Sequence, residues 1–345
     1  MPPTASNTRE NEVRKKPVTM AEMARLAGVH SRTVSDVLKG KGRVAPATRE
    51  KVLRIAQELN YVPNAAARAL ATGRTGTIAV LSGPLNEPFY ANIVHLLETH
   101  LTANGYEMTL LHTRRDVKDL MQATQSSLVD GVIVIVSEHL PEEFLRLRSQ
   151  SQSPCVVIDT SPRDFVDSIT LDLRPAVEEA LELMLAAGRQ RIAYVVNNRN
   201  EAAHVEVRMR TYLKVMAEAK RTPEMIDVNT KVSSEERIQS IQAYIKANGC
   251  PDALLCQNDE TAIYTYRAVI GSGYRLPEDV LLVGCDGLPY MEFFDPPLST
   301  IALPIEEICT IAAQFLQRRM TTPDIPLQQA TLQGHLMIRK SLLAS

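Results

Sequence analysis

The residues best suited to chemistry crowd together near the start of this chain. In the stretch 18–44, VTMAEMARLAGVHSRTVSDVLKGKGRV, the polar side chains His30, Ser31, Arg32, Thr33, Ser35 and Asp36 follow one another closely, with Lys39 just beyond. Such a set can read base edges in the major groove of DNA. An arginine meets O6 and N7 of guanine, and a carboxylate accepts from the amino group of cytosine. Hydroxyls and lysines suit phosphates, which fix register rather than sequence. Asp36 is the ambiguous member. Its carboxylate repels phosphate but can accept from cytosine, or it can pair with Arg32 four residues earlier on one helix face.

Two short helices must hold these groups outward. Thr19 can cap the first, with Glu22 three residues on completing a capping box. Met20, Met23, Ala24 and Ala27 recur at helical spacing and give that helix an apolar face. Gly28 allows a sharp turn, and Ser31 can cap a second helix whose Val34, Val37 and Leu38 face the first. Pro46 and Thr48 open a third helix over about 47–60. Its Val52, Ile55, Ala56 and Leu59 close a small core. Residues 65–71 can form one further short helix, which would be marginal alone. An ordinary helical hairpin inside a larger core is the alternative for the first two helices.

The pieces ARLAGV, TVS, VLKG, TREKV, LNYVPN and ARALA, in that order, carry a specific likeness. From Val18 to Ala71 the chain resembles the headpiece of the lactose-repressor (LacI/GalR) family of bacterial transcription regulators. The resemblance implies that Ser31 and Arg32 enter the major groove, while Thr19, Thr33, Ser35 and Lys39 hold the DNA backbone. It makes 65–71 a hinge helix, with Leu70 as an apolar wedge pushed between central base pairs from the minor groove. Asn64 and Ala67 accompany it. Packing within one subunit is the alternative for Leu70. Two positions depart from the family pattern: Asp36 stands where many relatives have Arg, and Ala45 where Ser is frequent.

Charge is divided along the chain. The first 74 residues hold 14 Lys and Arg against 6 Asp and Glu, an excess of +8, and the remainder holds 24 against 34. A basic head on an acidic body fits a polyanion-binding head and a body with another task. The five cysteines, Cys155, Cys250, Cys256, Cys285 and Cys309, lie mostly in apolar runs and read as buried thiols of a reducing compartment. No apolar run approaches a membrane span, and the polar residues 1–17 lack a signal-peptide core. The expectation is a soluble, cytoplasmic protein with a disordered N-terminal arm, no cofactor and no metal.

Beyond TGRTGT the pattern changes to apolar runs separated by helix-like stretches. IAVLSG, YEMTLLHT, DGVIVIV, CVVIDT and SITLDL make one set of strands; RIAYVV, MIDV, DALLCQ and VLLVGCD make a second. Such runs indicate parallel sheets covered on both faces, and two similar sets indicate two lobes with a cleft between them. VDGVIV, LAAGRQRIAYV, RMRTY, CQNDETA, LPEDVLLVGCDG and PPLSTIALP resemble the same family. They imply a two-lobed periplasmic-binding-protein-like α/β core that binds an effector and forms a homodimer. Gln190, Thr211 and Gly287 depart from the residues usual there. The chain stops soon after HLMIRKSLLAS, leaving no room for several leucine heptads, so a dimer rather than a tetramer is expected.

By resemblance, the effector contacts are Phe89, Tyr90, Asp159, Arg208, Asn258 and Asp286. Carboxylates and amides at strand ends suit hydroxyl groups at the mouth of an open sheet, and Arg208 suits a carboxylate or a hydroxyl. The alternatives are that Asp159 and Asp286 cap turns, or that Arg210 serves in place of Arg208. The expected organisation is an arm over 1–17, an all-α helix-turn-helix headpiece over 18–62, a hinge helix and linker over 63–76, and the core over 77–345. The function expected is a repressor that binds double-stranded operator DNA under control of a small effector, a sugar or sugar acid. An α/β sugar-processing enzyme, or a small-molecule binding protein with an incidental helical head, is the alternative. Against the enzyme, no GxSxG elbow, GxGxxG fingerprint or Walker loop occurs.

Overall fold

The computed structural model describes residues 18–38, 40, 42–59, 61, 69, 73–112, 116–126, 129–135, 140–150, 153–197 and 206–343. Of the positions singled out above, Lys39, Asn64, Ala67 and Leu70 lie outside the described residues, as does the arm. The chain divides into two compact units, Met1–Thr75 and Gly76–Ser345.

Among the described residues, the first unit is built on three helices, α1 (Met20–Ala27), α2 (Ser31–Leu38) and α3 (Pro46–Glu58). Met23, Ala24, Ala27, Val34, Val37, Val52 and Ile55 form its buried core. Thr19 caps α1 by accepting from the Glu22 amide at 3.2 Å. The cap is one-sided, because no reciprocal bond from the Glu22 side chain is found among the described residues. Gly28 ends α1 in the left-handed conformation, φ 67°, which only glycine adopts without cost. The turn is so tight that α2 starts one residue earlier than expected. The His30 carbonyl accepts from the Thr33 and Val34 amides, so Ser31 is the first helical residue rather than the cap. α3 begins with Pro46 in its first turn, and Ala45 before it makes no side-chain cap.

The second unit contains two six-stranded sheets. The first is ordered β11-β5-β4-β3-β1-β2, and the second β12-β10-β9-β8-β6-β7. The first sheet comprises β1 (Thr77–Ser82), β2 (Glu107–His112), β3 (Gly131–Ile135), β4 (Cys155–Asp159), β5 (Asp167–Asp172) and β11 (Gln329–Gln333). The second comprises β6 (Ile192–Asn197), β7 (Glu224–Val228), β8 (Ala253–Cys256), β9 (Leu281–Asp286), β10 (Ser299–Ala302) and β12 (His335–Met337). All pairings are parallel except β10 with β12, so the second sheet is not wholly parallel. Helices α4 (Pro88–Ala103), α5 (Val117–Ser126), α6 (Glu142–Gln150), α7 (Arg174–Ala186), α8 (Val207–Glu218), α9 (Ser234–Asn248), α10 (Asp259–Gly271) and α11 (Ile305–Thr321) connect the strands. Four of the cysteines are buried and Cys250 is half-buried, all as free thiols. Among the described residues no helix is long and apolar enough to cross a membrane.

The chain passes between the lobes three times. After β5, Leu173 and α7 join the core of the second sheet. After β10, α11 returns to cover the first sheet, burying Ile305, Ile308, Cys309, Ala312 and Leu316 against Ile78, Val80 and Ile133. Between β11 and β12 the chain crosses again at Gly334, whose amide donates to the Asp172 carbonyl at 3.0 Å. Leu303 packs against both cores. The far end of α11 is tied down by Arg319, which donates to the buried Asp167 carboxylate at 2.9 and 2.6 Å.

Asp259, fully buried at the start of α10, ties three elements of the second lobe together. It accepts from the Thr300 hydroxyl on β10 at 2.6 Å and from the Leu288 amide, just past β9, at 2.7 Å. Burial pushes its carboxyl up to about 6 despite these bonds. The folded chain therefore keeps this proton to higher pH than the unfolded chain does. Stability contributed by the group falls as pH rises from the ordinary carboxylate range through about 6. Asp259→Asn, which cannot ionise, is expected to lose that part of the pH slope. Urea denaturation at about pH 4 and about pH 7 should move the variant's stability relative to the natural chain upward by about 2 kcal/mol between the two. A constant gap would mean that Asp259 titrates alike in the folded and unfolded states.

Candidate functional site

On the head, the two faces of α2 are sharply different. Val34 and Val37 are 0% and 2% exposed, while His30, Ser31 and Arg32 are exposed and Thr33, Ser35 and Asp36 are half-exposed. The buried valines fix the roll of the helix, which turns its polar N-terminal residues outward. Thr19 is exposed at the start of α1; its hydroxyl oxygen serves the Glu22 amide, and its proton remains for an external acceptor. Arg32 and Asp36 form no ion pair with each other among the described residues. Asp36 instead lies along the loop before α3, where a Cβ at Gly42 would stand 3.4 Å from the Asp36 Cβ.

In the core, the candidate residues follow the carboxyl ends of strands, as open parallel sheets dictate. Asp286 ends β9 with φ 134°, a strained conformation for a residue with a side chain. Burial, and next the charge of Asp259, push its carboxyl well above the usual range, while nearby Arg208 opposes them. The charge of Glu87 also reaches Asp286 from the loop before α4, so this strand end faces the first lobe. Asn258 follows β8 and caps α10, its side-chain oxygen accepting from the Thr261 amide at 2.9 Å and hydroxyl at 2.7 Å. That leaves its side-chain nitrogen as a donor. Arg208 lies in the first turn of α8, where Nη1 donates to the Gln257 carbonyl, next to Asn258. Arg208, Asn258 and Asp286 thus converge on one strand-end cluster. Arg210 is exposed instead.

The first-lobe candidates stand differently. Phe89 and Tyr90 pack edge-to-face, ring centroids 5.3 Å apart, against the core of the first sheet. The Tyr90 ring lies so close over Gly83 that a Cβ there would come within 2.6 Å of it, so the bare backbone seats the ring. Asp159 does not cap a turn. Its Oδ2 accepts from Arg163 Nε at 2.8 Å and Nη2 at 2.6 Å, and Asp159 is only 7% exposed.

Three residues that complete the arrangement escaped the sequence reading. Glu206 caps α8, accepting from the Arg208 and Met209 amides at 3.0 Å each. The same carboxylate accepts from Arg208 Nε at 2.8 Å and from the Tyr194 hydroxyl. Burial drives Glu206 up, but Arg208 and these hydrogen bonds prevail and hold it below its ordinary value. Arg163 and Asp259 are the other two. A carboxylate at a helix N-terminus complements the helix dipole, so the acidic residue two positions before Arg208 is the signal that could have revealed Glu206. Arg163 and Asp259 carry no comparable mark.

Residues 19–64 match the family described as bacterial regulatory proteins, lacI family. Residues 181–342 match the periplasmic binding protein-like domain. The ribose operon repressor of Haemophilus influenzae is 30% identical over 330 residues, covering 94% of this chain and 98% of its own. The HTH-type transcriptional repressor PurR of Haemophilus influenzae strain PittEE is 30% identical over 332 residues, with the same shares covered. Among solved structures, the lac repressor dimer bound to operator and the anti-inducer ONPF is similar with a TM-score of 0.79. It is 25% identical, and the match covers 95% of this chain and all of that one. The CelR–cellobiose complex is similar with a TM-score of 0.66 at 27% identity, covering 94% of this chain and 99% of that one. With its head matched by the family and its near-full length matched by two repressors, this chain belongs to the lacI family of bacterial regulatory proteins.

Proposed function

We propose a division of labour for this DNA-binding transcriptional repressor. Residues 18–62 read the operator, 63–76 act as hinge and linker, 77–345 bind the effector and dimerise, and 1–17 form a basic-ended arm. The protein works in the cytoplasm as a homodimer on double-stranded DNA, and it is not an enzyme. The observation that carries this reading is the outward polar face of α2, held by buried Val34 and Val37, in a chain similar along nearly its whole length to repressors. The dimer is supported by the similarity to the lac repressor dimer on operator. Ser31 and Arg32 enter the major groove with His30 and Asp36 beside them, Thr19, Thr33, Ser35 and Lys39 hold phosphates, and Asn64, Ala67 and Leu70 work from the minor groove.

The effector is a small polyhydroxylated molecule, a sugar or sugar acid, bound among Phe89, Tyr90, Asp159, Arg208, Asn258 and Asp286. A similar chain is solved with cellobiose, and another with ribose. When the lobes close on the ligand they bend at the three crossings. The hinge segments leave the first lobe directly, so their spacing in the dimer changes and operator affinity changes with it. The ligand shifts that balance only by its differential affinity for the two states.

Three outcomes test this. An operator recovered by selection from random duplexes should be near-palindromic, with affinity falling steeply as salt rises. Arg32→Ala should lose about 1–3 kcal/mol of operator binding and relax one base pair per half-site; an unchanged base preference would remove α2 from the groove. Asp286→Ala and Arg208→Ala should each abolish the ligand response, read by fluorescence anisotropy on labelled operator, with operator binding retained. Loss of operator binding with full ligand affinity in either variant would contradict the separation of roles.

A further inference from the structure

Resting on the effector cleft proposed above, we infer that this chain selects an uncharged polyol or sugar over its acidic or phosphorylated counterpart, and that Glu206 sets that preference by claiming the Arg208 guanidinium. The geometry is specific. Glu206 engages the side chain of Arg208 at Nε, 2.8 Å away, while Nη1 is held by the Gln257 carbonyl. Both side chains are only 17% exposed, so the pair lies in a poorly solvated setting where the two charges cancel strongly. Arg208 is therefore a fixed hydroxyl donor rather than an open counter-ion.

The neighbouring groups act in the same direction. Arg163, the cation beside Asp159, is fastened to that carboxylate by both Nε and Nη2 and stands 3.7 Å from Glu142 as well. Asp286 adds a further carboxyl beside the Arg208 cluster, and the charge of Glu87 reaches it. An incoming carboxylate or phosphate would meet the charge of Glu87 and find both Arg208 and Arg163 already engaged. A hydroxyl pays no such penalty: it can donate to a carboxylate and accept from Arg208 or from the Asn258 side-chain nitrogen.

The full chain, probed by thermal shift and isothermal titration, tests this with ring-matched pairs: D-galactose and D-galacturonate, D-glucose and D-glucuronate, D-ribose and D-ribose 5-phosphate. At least one neutral member should raise Tm and bind at least about tenfold more tightly than its charged partner. Glu206→Gln, checked for an unchanged circular dichroism spectrum, should shrink that ratio to about threefold or less by releasing the Arg208 charge. The comparison within the natural chain stands even where this variant folds poorly. A charged member that binds as well as its neutral partner overturns the inference, as does a ratio unmoved in Glu206→Gln. If no neutral sugar binds but hypoxanthine does, and Arg208→Ala abolishes that binding, the polyol class is overturned while the cleft reading stands. Binding of any of these probes that is unmoved by both Arg208→Ala and Asp286→Ala sinks the cleft reading and this inference together.

Discussion

Three crossings, at Leu173, Leu303 and Gly334, hold the two sheets of the core to each other. A parallel sheet must be covered on both faces, and neither sheet of this chain is completed by consecutive sequence. The first sheet lacks its outer strand and the helix over its face until α11 and β11 arrive from beyond β10. The second then closes with β12. Each lobe is thus stiff, while the connection between them is only three chain segments wide. Stiff bodies on a narrow joint move by hinge bending, with the dihedral change concentrated at a few residues.

The chemistry of the cleft side follows from burial. Charged groups are carried to the strand ends, where leaving them single would be costly. The fold answers by pairing them: Arg208 with Glu206 and Arg163 with Asp159. Removing one partner of such a pair leaves the other charge stranded, a cost of about 3–5 kcal/mol. Asp286 has no such cation to itself and sits in a strained backbone conformation beside the buried carboxyl of Asp259. Strain of that kind persists only where the surroundings over-determine it. Here the Leu288 amide and Thr300 hydroxyl, both bound by Asp259, fix the loop that follows.

What could be read from residues alone divides along physical lines. Strands buried on both faces, such as GVIVI and CVVID, announce themselves as unbroken apolar runs. The head was legible because its apolar residues recur at helical spacing, and Val34 and Val37 proved fully buried. Helix α6 was missed because EEFLRLRSQ buries only Phe144, Leu145 and, unexpectedly, Arg148. Strand β11 was missed because QATLQ is an edge strand, alternately exposed and half-buried, with no apolar run at all. The candidate cleft residues were placed by family likeness and by their position after strands. Their partners were harder, since the pairing of Asp159 with Arg163 or of Asp259 with Thr300 runs across turns or between distant elements and leaves no period in the chain.

The late return of α11 and β11 also governs the order in which the molecule can assemble as it is made. Synthesis delivers the N-terminus first, so the three-helix head is free of the ribosome long before the core is complete. Strands β1 to β5 emerge next, but β5 keeps an unpaired edge, and one face stays bare where Leu316 and Ile308 will pack. That incomplete half must wait through β6 to β10 of the second sheet. An open edge and an uncovered apolar face are what chaperones bind and what aggregates share. The nascent chain is therefore most vulnerable in the interval between the translation of Asp172 and that of Gln333.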